Sequence, residues 1–281
     1  MSMQLRVVHT TRFSYDGPAV ASYNQARLTP VTTPEQIVVH ARLEVSPKPW
    51  TYDYRDYFGN HVTAFEVVDP HETMTVTATS TVQVNRSPAA APSATWEELA
   101  GREVADRWTE YLVLPPRVAP PEDLSSRLET LRADAATPGA AASELFDLLG
   151  REVEHRPGAT HAGSTAAESW AQRAGVCQDT AHLAIGGLRS LGVPARFVTG
   201  WLHPSPEPVV GEPVGGSPHA WLEWWDHGWR SYDVTHGTEP DDRYVVVATG
   251  RDHDDVTAIS GIYSGSEARG LDVSVEVTRV S

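Results

Sequence analysis

The sequence predicts an α+β protein, with an antiparallel β-sandwich first and then a core of helices packed on an antiparallel β-sheet. Three observations carry this. Apolar residues alternate with period two through the first 85 residues. A Pro-, Ala- and Ser-rich stretch at 87–93 ends that pattern. Helix-start signals follow, and strand patterning returns only after residue 195. The implied organisation is an N-terminal β-sandwich domain at 1–87, a linker and helical connection at 88–142, and a core at 143–281.

The strands come first. Leu5, Val7, Phe13 and Tyr15 share a parity, with His9 and Thr11 between them. Ile37, Val39, Ala41, Leu43 and Val45 alternate, as do Met74, Val76, Ala78, Ser80, Val82 and Val84. Period two means one buried and one solvated face. Gly59-Asn60, between 50–58 and 62–67, is a hairpin turn. Past the linker, Thr95 with Glu98 and Thr165 with Glu168 form capping boxes, in which each side chain satisfies a free backbone donor. Pro115-Pro116 and Pro120-Pro121 interrupt the helical region between them. A helix is expected over about 143–154, with Leu145, Leu148, Leu149 and Val153 on one side.

The next helix is expected to start at Cys177. Ala181, Ala184, Ile185, Leu188 and Leu191 make its apolar stripe, and Gly192 and Pro194 stop it. A buried strand, Ala195–Leu202, follows. Residues 204–218 hold five prolines and three glycines in 15 residues, which predicts a loop. Strands at 219–225 and 229–234 then pair around Asp226-His227-Gly228, and 244–248 and 271–277 are further strands.

Composition narrows the function. The net charge of −15 repels phosphate backbones and anionic lipid, which argues against nucleic-acid or membrane partners. The single cysteine forms no intrachain disulfide. No signal-type run or membrane-length apolar run occurs, so the expected location is the cytoplasm. Composition says nothing of oligomeric state.

Three residues carry chemistry once placed on these elements. Cys177 sits in the first turn of a helix, where free N–H groups and the helix dipole favour a thiolate and could hold an oxyanion. His219 opens a strand. Asp233 lies 233 − 219 = 14 positions later, on the returning strand. If Trp225 faces Trp229, His219 falls opposite Thr235, and Asp233 is its diagonal neighbour on the same face. That is the logic of nucleophile, base and orienting carboxylate. Trp170, Gln178, Trp201 and Pro218 are candidates for substrate binding. Asp179 reads as a helix cap rather than a catalytic group. His219, His227, Asp233 and His236 make a poor metal cluster, since His227 lies at a turn tip and no compact histidine pair is present. Neither metal nor cofactor is expected.

Four ordered blocks add a resemblance. They are Gly175-Val176-Cys177-Gln178-Asp179, Leu191-Gly192-Val193-Pro194-Ala195-Arg196 with Gly200, Ser217-Pro218-His219-Ala220-Trp221-Leu222-Glu223, and Gly228-Trp229 with Asp233-Val234-Thr235. Together they resemble the transglutaminase-like superfamily, which shares a papain-like core. Arg156-Pro157-Gly158-Ala159-Thr160 and Gly250-Arg251-Asp252 look like its bacterial branch, whose N-terminal β domain would match 1–85. The resemblance implies thiol attack on an amide or ester carbonyl of a peptide or protein, and a thioester resolved by water or an amine. Val234 stands where a proline is common, His236 where an asparagine is, Thr180 for an aromatic and His253 for a tyrosine. No acidic loop resembles a calcium site. Two other functions stay open. One is a catalytically inactive module binding peptide in the same groove. The other is an arylamine-type acyltransferase, which the residues flanking Cys177 do not resemble.

Overall fold

The computed structural model describes residues 2–87 and 94–281, so all of the expected linker but Ser87 lies outside it. The first strands are β1 (Met3–Thr29), β2 (Gln36–Ser46), β3 (Trp50–Arg55), β4 (His61–Val67) and β5 (His71–Val84). Met74, Val76, Ala78, Ser80, Val82 and Val84 are buried, which is the face their alternation predicts. The strands expected to form a sandwich are hydrogen-bonded into one connected sheet of eight. β1 is the shared member. Its first half pairs with β5 from Met3↔Val84 to Ser14↔Thr73, and its second half pairs with β4 from Ser22↔Val67. The register breaks between Ser14 and Ala19, across Gly17-Pro18, where proline lacks a ladder donor.

β2 departs from its expected face. Ile37 and Val39 are 60% and 58% exposed, whereas Ala41, Leu43 and Val45 are half-buried. A bulge between Val38 and His40 is the reason, because one extra residue swaps inward and outward parity on either side of it. The Gly59 turn forms as expected, with φ +83° at Gly59 and the Asp56 carboxylate accepting from Phe58 N and Asn60 N.

Six helices follow, α1 (Trp96–Ala100), α2 (Arg102–Arg107), α3 (Glu122–Asp134), α4 (Pro138–Glu152), α5 (Ala166–Gln172) and α6 (Cys177–Ser190). Both capping boxes are made, by Thr95 with Glu98 and Thr165 with Glu168. α4 starts a turn earlier than expected. Thr137 caps it and Pro138 takes its first position, where a missing N–H costs no bond. Two short strands, β6 (Glu154–His155) and β7 (Ala174–Gly175), pair in parallel. The remaining strands are β8 (Ala195–Leu202), β9 (Pro213–Gly216), β10 (Pro218–Trp225), β11 (Trp229–Tyr232), β12 (Tyr244–Gly250), β13 (Ile259–Gly265) and β14 (Ala268–Arg279). A four-stranded antiparallel sheet runs β11-β10-β8-β12, and α6 lies against β8 and β10. Among the described residues no helix is long and apolar enough to cross a membrane.

The sequence places all of 143–281 in the second unit, and here the structure differs. β14 pairs with the first half of β1 (Val7↔Val277, Phe13↔Leu271), and β13 pairs with its second half. The stretch 204–218 is not all loop either, since β9 within it pairs with β14. β9 holds Pro213, Gly215 and Gly216, residues that argue against a strand. It survives at the end of the sheet, where an edge tolerates them.

The two sheets share one apolar cluster, reaching from Leu5 and Val7 to Leu188 and Val277. Two buried amides also stitch them together. Gln36 accepts from Val246 N and donates to Val246 O, at 2.8 and 2.7 Å. Asn60 makes the same double bond to Thr249, at 2.8 Å each way. Both sit on β12, the edge of the second sheet, and supply the partners a neighbouring strand would give. Closeness also dictates Gly200 on β8. A Cβ there would lie 1.9 Å from the Val245 carbonyl oxygen and 2.8 Å from the Trp221 ring. Gly200→Ala is therefore expected to destabilise the fold by about 3 kcal/mol, read as a lower denaturation midpoint at unchanged slope.

Candidate active site

Cys177 is the first residue of α6, after extended Val176. It is the only cysteine and is partly buried. Asp179 shapes this helix start. Its buried carboxylate accepts from Val176 N at 2.7 Å and from the Thr160 hydroxyl at 2.6 Å, the capping role expected of it. A side chain on Gly175 would meet Asp179 Cβ at 2.7 Å and Ser169 Oγ at 2.8 Å, so only glycine allows this approach. The first N–H groups acting within the turn belong to Asp179 and Thr180, which donate to Val176 O. Those of Cys177 and Gln178 have no acceptor among the described residues, and they lie at the positive end of the helix.

His219 is the second residue of β10 and is buried. The β10–β11 register runs Trp225↔Trp229 and Leu222↔Tyr232, as read from the sequence. β11 ends at Tyr232, one residue before Asp233. A tight turn then closes, with Asp233 N donating to Thr238 O at 2.9 Å and Thr238 N to Asp233 O at 3.2 Å. The Asp233 carboxylate is fully buried. Its Oδ2 accepts from His219 Nε2 at 2.6 Å, His236 Nδ1 at 2.7 Å and the Tyr244 hydroxyl at 2.8 Å. Its Oδ1 accepts from Thr235 N at 3.0 Å and His236 N at 3.3 Å.

These contacts set the charges. Burial alone would raise the Asp233 pKa, but its bonds to His219 and His236 bring it down to about 2. Burial would likewise lower the His219 pKa. The bond to Asp233 and the influence of Cys177 outweigh that and raise it to about 9. Nε2 is engaged with the carboxylate, which leaves Nδ1 as the ring nitrogen available to another group. Burial and the adjacent carboxylate raise the Tyr244 pKa, which keeps its hydroxyl a donor. A further bond joins the two halves of the site. The Thr180 and Thr235 hydroxyls lie 2.8 Å apart, tying the cysteine helix to the aspartate turn.

The structure thus joins His219 to Asp233, and Cys177 is among the groups that raise the His219 pKa. It places the four other candidates differently. Trp170 is buried under the Arg173 guanidinium, 3.5 Å from its ring centroid, and donates to Asp123 Oδ2 at 2.7 Å. Trp201 is buried between the sheets and donates to His9 Nδ1 at 3.1 Å. Both indole N–H groups are committed to the fold, which leaves neither free for a substrate. Gln178 is half-buried beside Cys177, with its amide donating to Ala162 O at 3.1 Å. Pro218 is exposed next to His219.

Two residues outside the sequence-based set join the site. Tyr244 and His236 both donate to Asp233 Oδ2, and the His219 and His236 ring centroids are 5.1 Å apart. The Tyr244 contact has no local signal, because it depends on how the chain returns from the turn after Tyr232, whereas His236 lies three residues from Asp233 and reads from the sequence only as a metal ligand. Tyr244→Phe removes one of three donors to that oxygen. A neutral hydrogen bond is worth about 1 kcal/mol net, so kcat is expected to fall roughly fivefold with KM unchanged. Steady-state kinetics of the variant checks this.

His219, Asp233 and His236 offer ligand atoms all within 4.8 Å of one another. Three such donors could hold a metal ion, but Asp233 Oδ2 already bonds both imidazoles and a metal would have to displace those bonds.

Comparison with known proteins gives a consistent picture. The model of the bacterial transglutaminase-like N-terminal region matches residues 5–83. The transglutaminase-like superfamily model matches residues 125–234, which contain Cys177, His219 and Asp233. An uncharacterized protein of Mycobacterium leprae is 40% identical over 278 residues, covering 99% of both chains. An uncharacterized protein of Mycobacterium tuberculosis is 33% identical over 293 residues, covering 97% of this chain and 91% of that one. Among solved structures, a Cytophaga hutchinsonii protein provisionally described as a cysteine protease superposes with TM-score 0.78 at 20% identity. That superposition covers 100% of this chain and 92% of the other.

Proposed function

The chain belongs to the transglutaminase-like superfamily, and on that premise we propose that it is a cysteine-dependent acyl-transfer enzyme acting on amide or peptide bonds through a thioester. One observation carries the reading. A single imidazole has Nε2 on a fully buried carboxylate, and the only sulfur nucleophile, whose presence helps raise the pKa of that imidazole, stands at the open end of a helix.

His219, its pKa raised to about 9, takes the proton of the Cys177 thiol as the sulfur attacks. The thiolate attacks the carbonyl carbon of the substrate. The π electrons move to oxygen, within the field of the free Cys177 and Gln178 N–H groups. When the tetrahedral species collapses, the C–N bond breaks and the leaving amine takes the proton from His219. The product is a thioester on Cys177 with a neutral imidazole. Water or an acceptor amine then gives its proton to His219 and attacks the thioester. The C–S bond breaks, and thiolate and imidazolium are restored. Asp233 keeps Nε2–H engaged throughout, so that Nδ1 faces the sulfur. The substrate proposed is a peptide or protein amide.

Intact-mass analysis tests this directly. The protein is mixed with a panel of peptides, simple amides and activated esters and quenched in acid. The reading expects a mass increase equal to the acyl group, mapped to Cys177 and missing in Cys177→Ala. No adduct with any member of the panel, together with Cys177 alkylation no faster than free cysteine, would sink it.

A further inference from the structure

The outer face of the N-terminal sheet carries a row of side chains that the proposed chemistry does not use. β13, β1, β4 and β3 pair so that Ile262, Tyr23, Glu66 and Trp50 stand side by side, through Tyr23↔Ile262, Tyr23↔Glu66 and Trp50↔Glu66. Cross-strand partners point to one face. That face looks outward. Phe65 and Val67, of opposite parity on β4, are buried, whereas Trp50 is 64% and Tyr23 51% exposed. Ala64 and Ser260 on the next row are small, and a groove of about 480 Å³ opens along the row. Among the described residues no basic side chain lines it.

Elsewhere the protein completes this pattern with its own cations. Arg196 lies 4.2 Å over the Trp229 ring and pairs with Glu223 at 2.5 Å. Arg230 lies 5.3 Å from the Trp224 ring and pairs with Asp226 at 2.8 Å. In each case a guanidinium satisfies an aromatic face and a carboxylate together. In the groove, Glu66 stands between Tyr23 and Trp50, and the chain supplies no third member. Two aromatic side chains with a carboxylate between them in one row offer a surface that attracts an ammonium or guanidinium. The net charge of −15 adds long-range attraction of the same sign. The groove exceeds a single side chain in volume. Ile262 and Tyr52, 73% and 58% exposed, extend the apolar surface on either side of the central pair.

We propose that this groove docks a lysine or arginine side chain of a partner polypeptide, with apolar residues flanking the basic one. The cation sits against Glu66 between the Tyr23 and Trp50 rings, and its neighbours lie on Ile262 and Tyr52. The site is separate from Cys177 and does not depend on the acyl-transfer reading.

The test is calorimetric titration of the full chain carrying Cys177→Ala, so that binding is read without turnover. The probes are acetyl-Leu-Lys-Leu-amide, its arginine counterpart and the neutral norleucine counterpart. The two basic peptides are expected to bind saturably and to weaken as salt rises, with the norleucine peptide at least tenfold weaker. Glu66→Gln, an isosteric surface change, and Trp50→Ala should each reduce affinity at least fivefold at unchanged melting temperature, and Trp50→Phe should restore most of the loss. Equal binding of the norleucine peptide, or affinity indifferent to Glu66→Gln, overturns the proposal. So does saturable binding of a neutral oligosaccharide in place of the peptides. Concentration-dependent dimerisation that Trp50→Ala abolishes would assign the face to a second copy instead, and would overturn it as well.

Discussion

Cys177→Ala is expected to lower kcat/KM by at least about 10⁴-fold while leaving the fold intact. The reasoning starts from chemistry. The chain holds one cysteine, so no second thiol can take over the attack. His219, Asp233 and the free N–H groups at the start of α6 all remain, and they leave at most the residual rate that binding and an oxyanion site give without a nucleophile. Stability should change little, because the removed sulfur is only partly buried. A second readout separates loss of the nucleophile from loss of structure. Cys177 is among the causes that raise the His219 pKa to about 9. Without it, burial weighs more and the imidazole should titrate below 9 in a histidine NMR titration. Turnover within tenfold of the parent protein would remove Cys177 from the mechanism.

The three residues of the proposed triad are legible in the sequence because each sits at a place that local rules identify. Cys177 begins an apolar stripe of helical period two residues after Gly175, which fixes it at a helix start. The Trp225–Trp229 turn sets the register that puts His219 and Asp233 on one face, and the observed pairing has that register. Tyr244, His236 and Thr235 are not legible, because their bonds form across the turn at 233–238 and between separate elements. Trp170 and Trp201 mislead for the converse reason. They flank the motifs, but their donors are taken by Asp123 and His9, 47 and 192 positions away in sequence.

The fold shows the same division. β5 is legible because one face is buried from Met74 to Val84. β2 is half-legible, since the bulge at Val38–His40 swaps its faces without changing the alternation of residue types. The second half of β1, β9 and β13 are hidden by Gly17-Pro18, by Pro213, Gly215 and Gly216, and by Gly261, which read locally as turns. Pairing to distant partners holds them extended. The placement of β14 beside β1 joins residues more than 250 positions apart, as in Phe13↔Leu271, and no local pattern encodes that contact.

Asp233→Asn should lower kcat by about 10³- to 10⁴-fold, second only to loss of the nucleophile. An asparagine fits the same space, but it can present an N–H to His219 Nε2 where the carboxylate presents only acceptors. That moves the ring proton to Nδ1, the nitrogen that must receive a proton during the reaction. The same change should shift the pH profile. In the parent protein the protonated imidazole is lost as pH rises through about 9, which sets the alkaline limb of kcat/KM. The variant loses both the hydrogen bond and the charge of Asp233, leaving burial to lower the His219 pKa, so the limb moves to lower pH. Stability follows the linkage of both groups. The His219 pKa is raised, so its contribution is full below about 6.5 and fades as pH rises through about 9. The Asp233 pKa is lowered, so its contribution is full above about 3.8 and fades as pH falls through about 2. The stability gap between parent and variant should therefore be widest between about pH 4 and 6.5 and narrow on both sides. Urea unfolding at pH 3, 5.5 and 9.5 measures it. A gap equal at all three values would mean that Asp233 acts through shape alone and that its charge has no part in holding His219.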